Sequence, residues 1–516
     1  METKKNSFEQ GALILIVTGI ISKTMGALYR IPLTNILGVE GIGMYQIVLS
    51  FLLLALALSS NYIPATMSKC IGFLSSKDNK VATNRIFKAQ TVLCLISTLL
   101  ISVFLLIFAK QIANFQDKSE IYLSYFILIP TIILSGIKSI YKGIFLGNRK
   151  MIIPSVSQLL EEIFKVAVSL TFAYYGAKTS TIAAVNGALI GLIAGEIAGV
   201  VFFFIYKKIN FKNTGTNNNF VIMDLKLLSS QSFPIMISSI VFPIVTFIDS
   251  LLIVKLLILN GNSAQSAISQ YGLLQGPTYS LIHLPIMIAT SIALAVVPVL
   301  SSLFSNKSVK TIKEKSSESI KICLLLVIPA ALGLLVLIRP IMQALYPKID
   351  NESIDLCINM FALSSINIVL LSLYEIFSSI MQGINLSSFV MKTIIFCIII
   401  KLISEIILVH FWGIFGAIAS NILMYVLAVC ICSIKYRALL GSNKDLISKT
   451  TKIIFASLIM AIAVYFSTKI SSNNILTITI GILTGITIYL FLIVFIKIYS
   501  ISEISKTLFN SQKYKT

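Results

Sequence analysis

The feature that most narrows what this chain can fold into is a recurrence of apolar runs about 20 residues long, set apart by short polar or Pro/Gly punctuation. About 20 apolar residues in a helix cross the ~30 Å hydrocarbon core of a bilayer. Only helices and closed barrels satisfy their backbone polar groups in lipid, and the runs lack the alternation of barrel strands. The spans are therefore helical. Composition agrees, since 57% of the 516 residues are hydrophobic and 12% charged, where a soluble domain carries roughly 25% charged residues.

Runs of helical length lie at 11–31, 43–67, 86–109, 121–146, 154–175, 182–206, 228–258, 271–303, 320–338, 356–382, 389–410, 413–434, 452–469 and 475–498. The sequence thus predicts an all-α polytopic membrane protein with about 14 transmembrane helices. The tightest connection, 410–413, rests on Trp412 and Gly413.

Charge is asymmetric in a way that orients the spans. The chain has 41 Lys+Arg against 20 Asp+Glu. With both termini on one side, that side receives about 30 of the cations, in Lys4, Lys5, the 69–88 cluster, 138–150, 207–226, 307–321, Lys392, 435–452 and the tail. The opposite side receives Lys110, Lys118, Lys178, Lys255, Arg339, Lys348 and Lys469. This split predicts a multi-pass membrane protein with both ends cytoplasmic and an even number of spans. The net charge of +21 is then a topological signal and implies no nucleic-acid partner. Most of the seven cysteines fall in apolar runs without CxxC spacing, as packing residues do. The first run is cut by Lys23 and lacks a small-x-small cleavage site, so it reads as a retained helix.

A weak internal repeat suggests two lobes. Residues 139–187 lie over 375–421 with Gly147 on Gly383 and Lys165 on Lys401. Two six-helix pseudo-repeats around a central cavity plus two C-terminal helices is the simplest account, with the binding site between the halves. The expected organisation is an N-lobe at 1–206, a cytoplasmic linker at 207–226, a C-lobe at 227–434, and two last spans with a cytoplasmic tail at 435–516.

Ionisable groups inside spans cost about 2.5–3.5 kcal/mol each on insertion scales, so they mark cavities or pairs. Lys23 and Arg30 are seven residues apart and share one helical face, with Gly26 and Ala27 between them. That face is small and cationic, with room for a ligand. Lys23 stands near mid-depth, out of reach of the headgroups, whereas Arg30 is equally compatible with snorkelling. Pro32 should kink the helix near Leu28, giving Gly26 and Pro32 the character of a gate. Glu161, Glu162 and Lys165 in span five, and Lys401 with Glu405 in span eleven, have the spacing of pairs on one helix. Asp249 has no opposite charge within four residues and needs a partner elsewhere, Lys401 or a bound proton among the candidates. Glu196 and Glu375, near span ends, are expected to be solvated.

Catalytic parts are sparse. His283 and His410 stand in different spans, and no HExxH, Walker A loop or GxSxG occurs. The sequence points to no enzyme, no metal and no cofactor; a gradient or membrane potential must supply the energy.

The stretches SKTMGALYRIPLTNILGVEGIGMYQ (22–46), FLGNRKMIIPSVSQLLEEIFKV (145–166) and QGIN (382–385) resemble the multidrug, oligosaccharidyl-lipid and polysaccharide exporter superfamily. Within it the chain is similar to polysaccharide biosynthesis proteins of the stage V sporulation protein B type, related to peptidoglycan lipid II flippases. The resemblance implies a MATE-like fold and movement of an undecaprenyl-pyrophosphate-linked sugar across the cytoplasmic membrane, for wall or spore cortex. Its implied partners are that lipid-linked oligosaccharide, membrane lipids and cell-wall synthesis proteins. Lys23 and Arg30 match first-helix cations of these flippases, and Lys165 matches a position where relatives carry Arg; with Glu162 they form the implied substrate site. Span eleven departs from the pattern, because Lys401 stands near where relatives hold sodium ligands beside the aspartate matched by Asp249. An ammonium can take the cation's place, which argues against sodium coupling. The rival readings are a cation-coupled multidrug exporter of the same fold and a membrane enzyme acting on lipid-linked glycans.

Overall fold

The computed structural model describes residues 14, 17–75, 80–116, 118–148, 150–210, 222–305, 308–441 and 444–496. Lys4, Lys5, the centre of the expected linker at 211–221 and the tail from 497 lie outside these residues. Among the described residues the chain is helical, with short turns between helices. It divides into two compact units, 1–276 and 277–516.

The first unit holds α1 (17–28), α2 (Arg30–Ser59), α3 (Ile63–Ser75), α4 (Lys80–Phe115), α5 (Tyr122–Gly147), α6 (Ile152–Ala177), α7 (Thr181–Asn210), α8 (Ile222–Leu259) and α9 (Ala264–Leu273). Its central element is α2, which packs on α5, α6, α7, α8 and α9. Packing thus carries the unit past the expected lobe boundary, as α8 and α9 both lie on α2. Gly38 interrupts α2 with φ 70 and ψ −176, a left-handed region that a glycine enters without steric cost. Sequence reading expects Pro32 to kink the helix near Leu28. In the structure Pro32 falls in the first turn of α2, where a missing N–H costs least. The step from α1 to α2 occurs at Tyr29, whose N–H still donates to Met25 O at 2.9 Å.

Helices α6 and α7 form the closest hairpin of this unit, and glycine is the reason. Gly187, Gly191, Gly195 and Gly199 recur every four residues and so form one stripe along α7. A Cβ at Gly187 would overlap the Phe172 carbonyl, and one at Gly191 would overlap Ser169. At Gly195 it would stand 2.8 Å from Glu161 O, and at Gly199 3.0 Å from Lys138 Cδ. Small residues let membrane helices approach backbone to backbone where hydrophobic burial gives little drive. Ser169 Oγ donates to Ala188 O at 2.8 Å across the same seam.

The second unit holds α10 (Tyr279–Ser305), α11 (Val309–Leu345), α12 (Asn351–Gly383), α13 (Ser387–Trp412), α14 (Ile414–Leu440), α15 (Lys444–Ser467) and α16 (Asn474–Phe495). Helices α10, α11, α12 and α14 pack together, α13 forms a hairpin with α14, and α15 and α16 lie on α11. Gly413, at φ 55, makes the one-residue turn between α13 and α14, as the sequence predicts from Trp412 and Gly413. The order α5–α6–α7 recurs as α12–α13–α14, with Gly147 and Gly383 each closing the leading helix and α6 and α13 each 26 residues long.

Twelve stretches among the described residues are long and apolar enough to cross a membrane. Val17–Ile71 counts once although its 55 residues exceed twice the length of one crossing. Helix α6 is outside the twelve because Glu161, Glu162 and Lys165 sit at its centre. Dividing the first stretch and adding α6 gives the number read from sequence. Outward side chains such as Leu100, Phe411 and Phe495 are large and exposed, the face that a helix in lipid presents.

Candidate functional site

One cluster in the first unit draws on α1, α2 and α6. Glu162 is buried, and Lys165, one turn later on α6, donates to its carboxylate at 2.6 Å. Three and four residues apart are neighbours on a helix surface, which is why the pair closes locally. Glu162 also reaches the first helix, since a Cβ at Gly26 would stand 2.8 Å from its Oε1. Gly26 therefore clears space for a carboxylate between Lys23 and Arg30.

Tyr29 and Tyr45 complete the cluster. Their hydroxyls share a buried hydrogen bond of 2.9 Å, and Lys165 Nζ lies 5.9 Å from the centre of the Tyr29 ring. The Tyr45 phenol feels the charges of both Arg30 and Glu162, so the second cation of the sequence motif is within electrostatic range of α6. Arg30 is half-buried and Lys23 is exposed. Of the predicted site, Lys165 and Gly26 border the Glu162 carboxylate, while Lys23 and Arg30 stand three residues before and four after Gly26 along the chain.

A second network lies on the other side of α6. Lys138 of α5 bridges Glu161 of α6 and Glu196 of α7, each at 2.7 Å, and Lys142 one turn along α5 feels all three charges. Two expectations need correction here. Glu196 is 6% exposed and ion-paired, not solvated at a span end. Lys138, counted with the 138–150 loop, lies well inside α5, which runs to Gly147. Gly199 on α7 leaves the space through which the Lys138 side chain passes.

In the second unit Lys401 and Glu405 pair at 2.6 Å, both fully buried in α13. One partner of Lys401 is thus on its own helix. Asp249, in the first unit, is buried on α8 beside the contact with α2, where Ser50 donates to Ser250 Oγ at 2.8 Å and Phe51 packs edge-on against Phe247. Among the described residues no group of three His, Cys, Asp or Glu side chains is arranged to hold a metal ion.

Comparison with known proteins bears on both clusters of the first unit. Residues 8–304 match the family model described as polysaccharide biosynthesis protein, more than half of the chain. The chain belongs to the polysaccharide biosynthesis protein family. That family match takes in every residue of the α1–α2–α6 cluster and of the Lys138 network. The chain is similar to lipid II flippase MurJ of Bacillus subtilis (strain 168), 24% identical over 478 residues, covering 88% of this chain and 87% of that protein. It is also similar to stage V sporulation protein B of the same organism, 27% identical over 334 residues, covering 62% and 63%. Among solved structures, lipid II flippase MurJ in an inward closed conformation superposes with a TM-score of 0.73 at 19% identity, covering 94% of this chain and 98% of that one. An inward-facing multidrug resistance MATE transporter superposes with a TM-score of 0.67 at 15% identity, covering 81% and 96%. These superpositions establish the MATE-like fold of this family member.

Sequence reading of this family member missed Tyr29, Tyr45, Lys138 and the role of Glu196. Tyr29 adjoins Arg30 in the stretch that drew attention, and its phenol was the available signal. Lys138 carried none, because a lysine beside a loop cluster reads as loop.

Proposed function

We propose that this multi-pass membrane protein is a flippase that moves an undecaprenyl-pyrophosphate-linked sugar from the inner to the outer leaflet of a bacterial cytoplasmic membrane by alternating access. The observation that carries the reading is Lys165 paired with Glu162 against Gly26, in a first helix segment that carries Lys23 and Arg30 on either side of that glycine in sequence. A pyrophosphate entering a low-dielectric slab needs charge-assisted donors, and arginine and lysine supply them. Tyr29 and Tyr45 add two hydroxyls beside those cations. The named activity of a relative, a lipid II flippase, supports the same class of substrate. Both termini then face the cytoplasm, as the loop charges favour, and the α1–α2 junction, with Gly26 before it and Pro32 after, is where the first helix bends during access. Asp249, Lys401 and Glu405 are assigned to coupling or to an intramembrane charge network. The setting is wall or spore cortex synthesis, with cell-wall synthesis proteins as neighbours.

An exporter of cationic drugs built on the same fold needs a cavity richer in carboxylates than in cations, and this cluster has the opposite balance. The decisive experiment is complementation of a flippase-depleted bacterium. Arg30→Ala and Lys165→Ala are expected to abolish growth while the protein stays at wild-type level in the membrane. Full growth in both variants would overturn the reading.

A further inference from the structure

The carboxylate in this cluster poses a problem that the flippase reading leaves open. Glu162 holds Lys165 at 2.6 Å and lies against the backbone of α1 at Gly26. Gly26 is three residues after Lys23 and four before Arg30, so the carboxylate sits at a level between the two other cations. A phosphoryl oxygen approaching this set would want the same ammonium that Glu162 occupies. Lys165 has three donors, yet two anions crowded onto one cation in a low-dielectric site repel each other.

Without any anion, a largely buried ammonium would be left uncompensated, which is costly. A carboxylate is a weaker, singly charged version of the group to be carried. From this we infer that Glu162 is a resident counter-anion: it occupies the anion position while the site is empty and yields Lys165 to the phosphoryl oxygens of the incoming ligand. The inference rests on the flippase reading and adds a role to it. Glu162 sets the affinity of the site and, by returning to Lys165, assists release. Glu161 has no part in this, since its carboxylate is held by Lys138 on the opposite side of α6.

The test uses full-length purified protein in lipid nanodiscs and inorganic pyrophosphate as the probe, with affinity read by calorimetry. Glu162→Gln keeps the shape and removes the competing charge, so binding should tighten at least about tenfold. Gly26→Ala should tighten it in the same direction, because the new methyl displaces only the end of the Glu162 side chain. Glu161→Gln should stay within about twofold of wild type, and Lys165→Ala should lose binding. Unchanged or weaker binding in Glu162→Gln and Gly26→Ala, with Lys165→Ala still losing it, overturns the counter-anion role and leaves the flippase site standing. Pyrophosphate bound by neither wild type nor any variant overturns both.

Discussion

Glu161 and Glu162 are neighbours in sequence and serve different lysines, Lys138 of α5 at 2.7 Å and Lys165 of α6 itself at 2.6 Å. Successive residues on a helix point about 100° apart. The same dipeptide therefore fastens α6 to α5 and α7 on one side and presents a charge to α1 on the other.

Removing the shared cation should expose what the Lys138 network does. Lys138→Met leaves Glu161 and Glu196 without their ammonium, and breaking a buried ion pair by one partner costs about 3–5 kcal/mol. The melting temperature in detergent should fall sharply. Adding Glu196→Gln to Lys138→Met should recover much of the loss, and a double variant no better than the single would speak against the pairing.

The pair in α13 gives a cleaner case, because Lys401 and Glu405 are fully buried. Lys401→Met alone should destabilise by about 3–5 kcal/mol, and adding Glu405→Leu should recover part of the loss, since it removes the carboxylate left uncompensated. Thermal unfolding of the three variants checks this.

Crowding predicts a gradient along α7. Gly191→Ala meets Ser169 backbone and side chain together and should cost about 1–3 kcal/mol, the usual range for overpacking. Gly199→Ala meets the aliphatic part of Lys138 and the Ser157 hydroxyl, at 3.0 and 3.2 Å, and should cost less because those groups can shift. Equal melting temperatures for the two variants would contradict the gradient.

At the start of α12, Asp350 accepts a hydrogen bond from Ser353 N–H at 2.9 Å, which holds its carboxyl below the usual aspartate range. A depressed folded value means that this stabilisation is present above the unfolded value of about 3.9 and is lost as pH falls through the folded one. Asp350→Ala should cost about 0.5–2 kcal/mol at neutral pH, as for other helix caps. The difference from wild type should shrink in acid, and unfolding curves at pH 7 and at pH 3 would register it.

Much of the fold was legible because lipid leaves few options: apolar length, loop charge and the glycine at 413 located the helices. The candidate cluster was half legible. Lys23, Arg30, Glu162 and Lys165 stood out as charges where charge is expensive, and Gly26 as space. Gly38 lies in the gap read between the runs 11–31 and 43–67, so a break there was legible, but not that helix continues on both sides of it with one glycine at positive φ. Lys138 and Glu196 were hidden for another reason. Their proximity to polar loops makes solvation the natural reading, and only the packing of α5 on α7 shows that they are enclosed.

The glycine stripe on α7 also governs what genetics can repair. At Gly187 the opposing atom is a carbonyl of the α6 main chain, and no allele of α6 has a shorter carbonyl. Revertants of a bulkier residue there must restore glycine itself or arise outside the hairpin. At Gly199, where the neighbours are side chains, a compensating change at Lys138 or Ser157 remains open to selection.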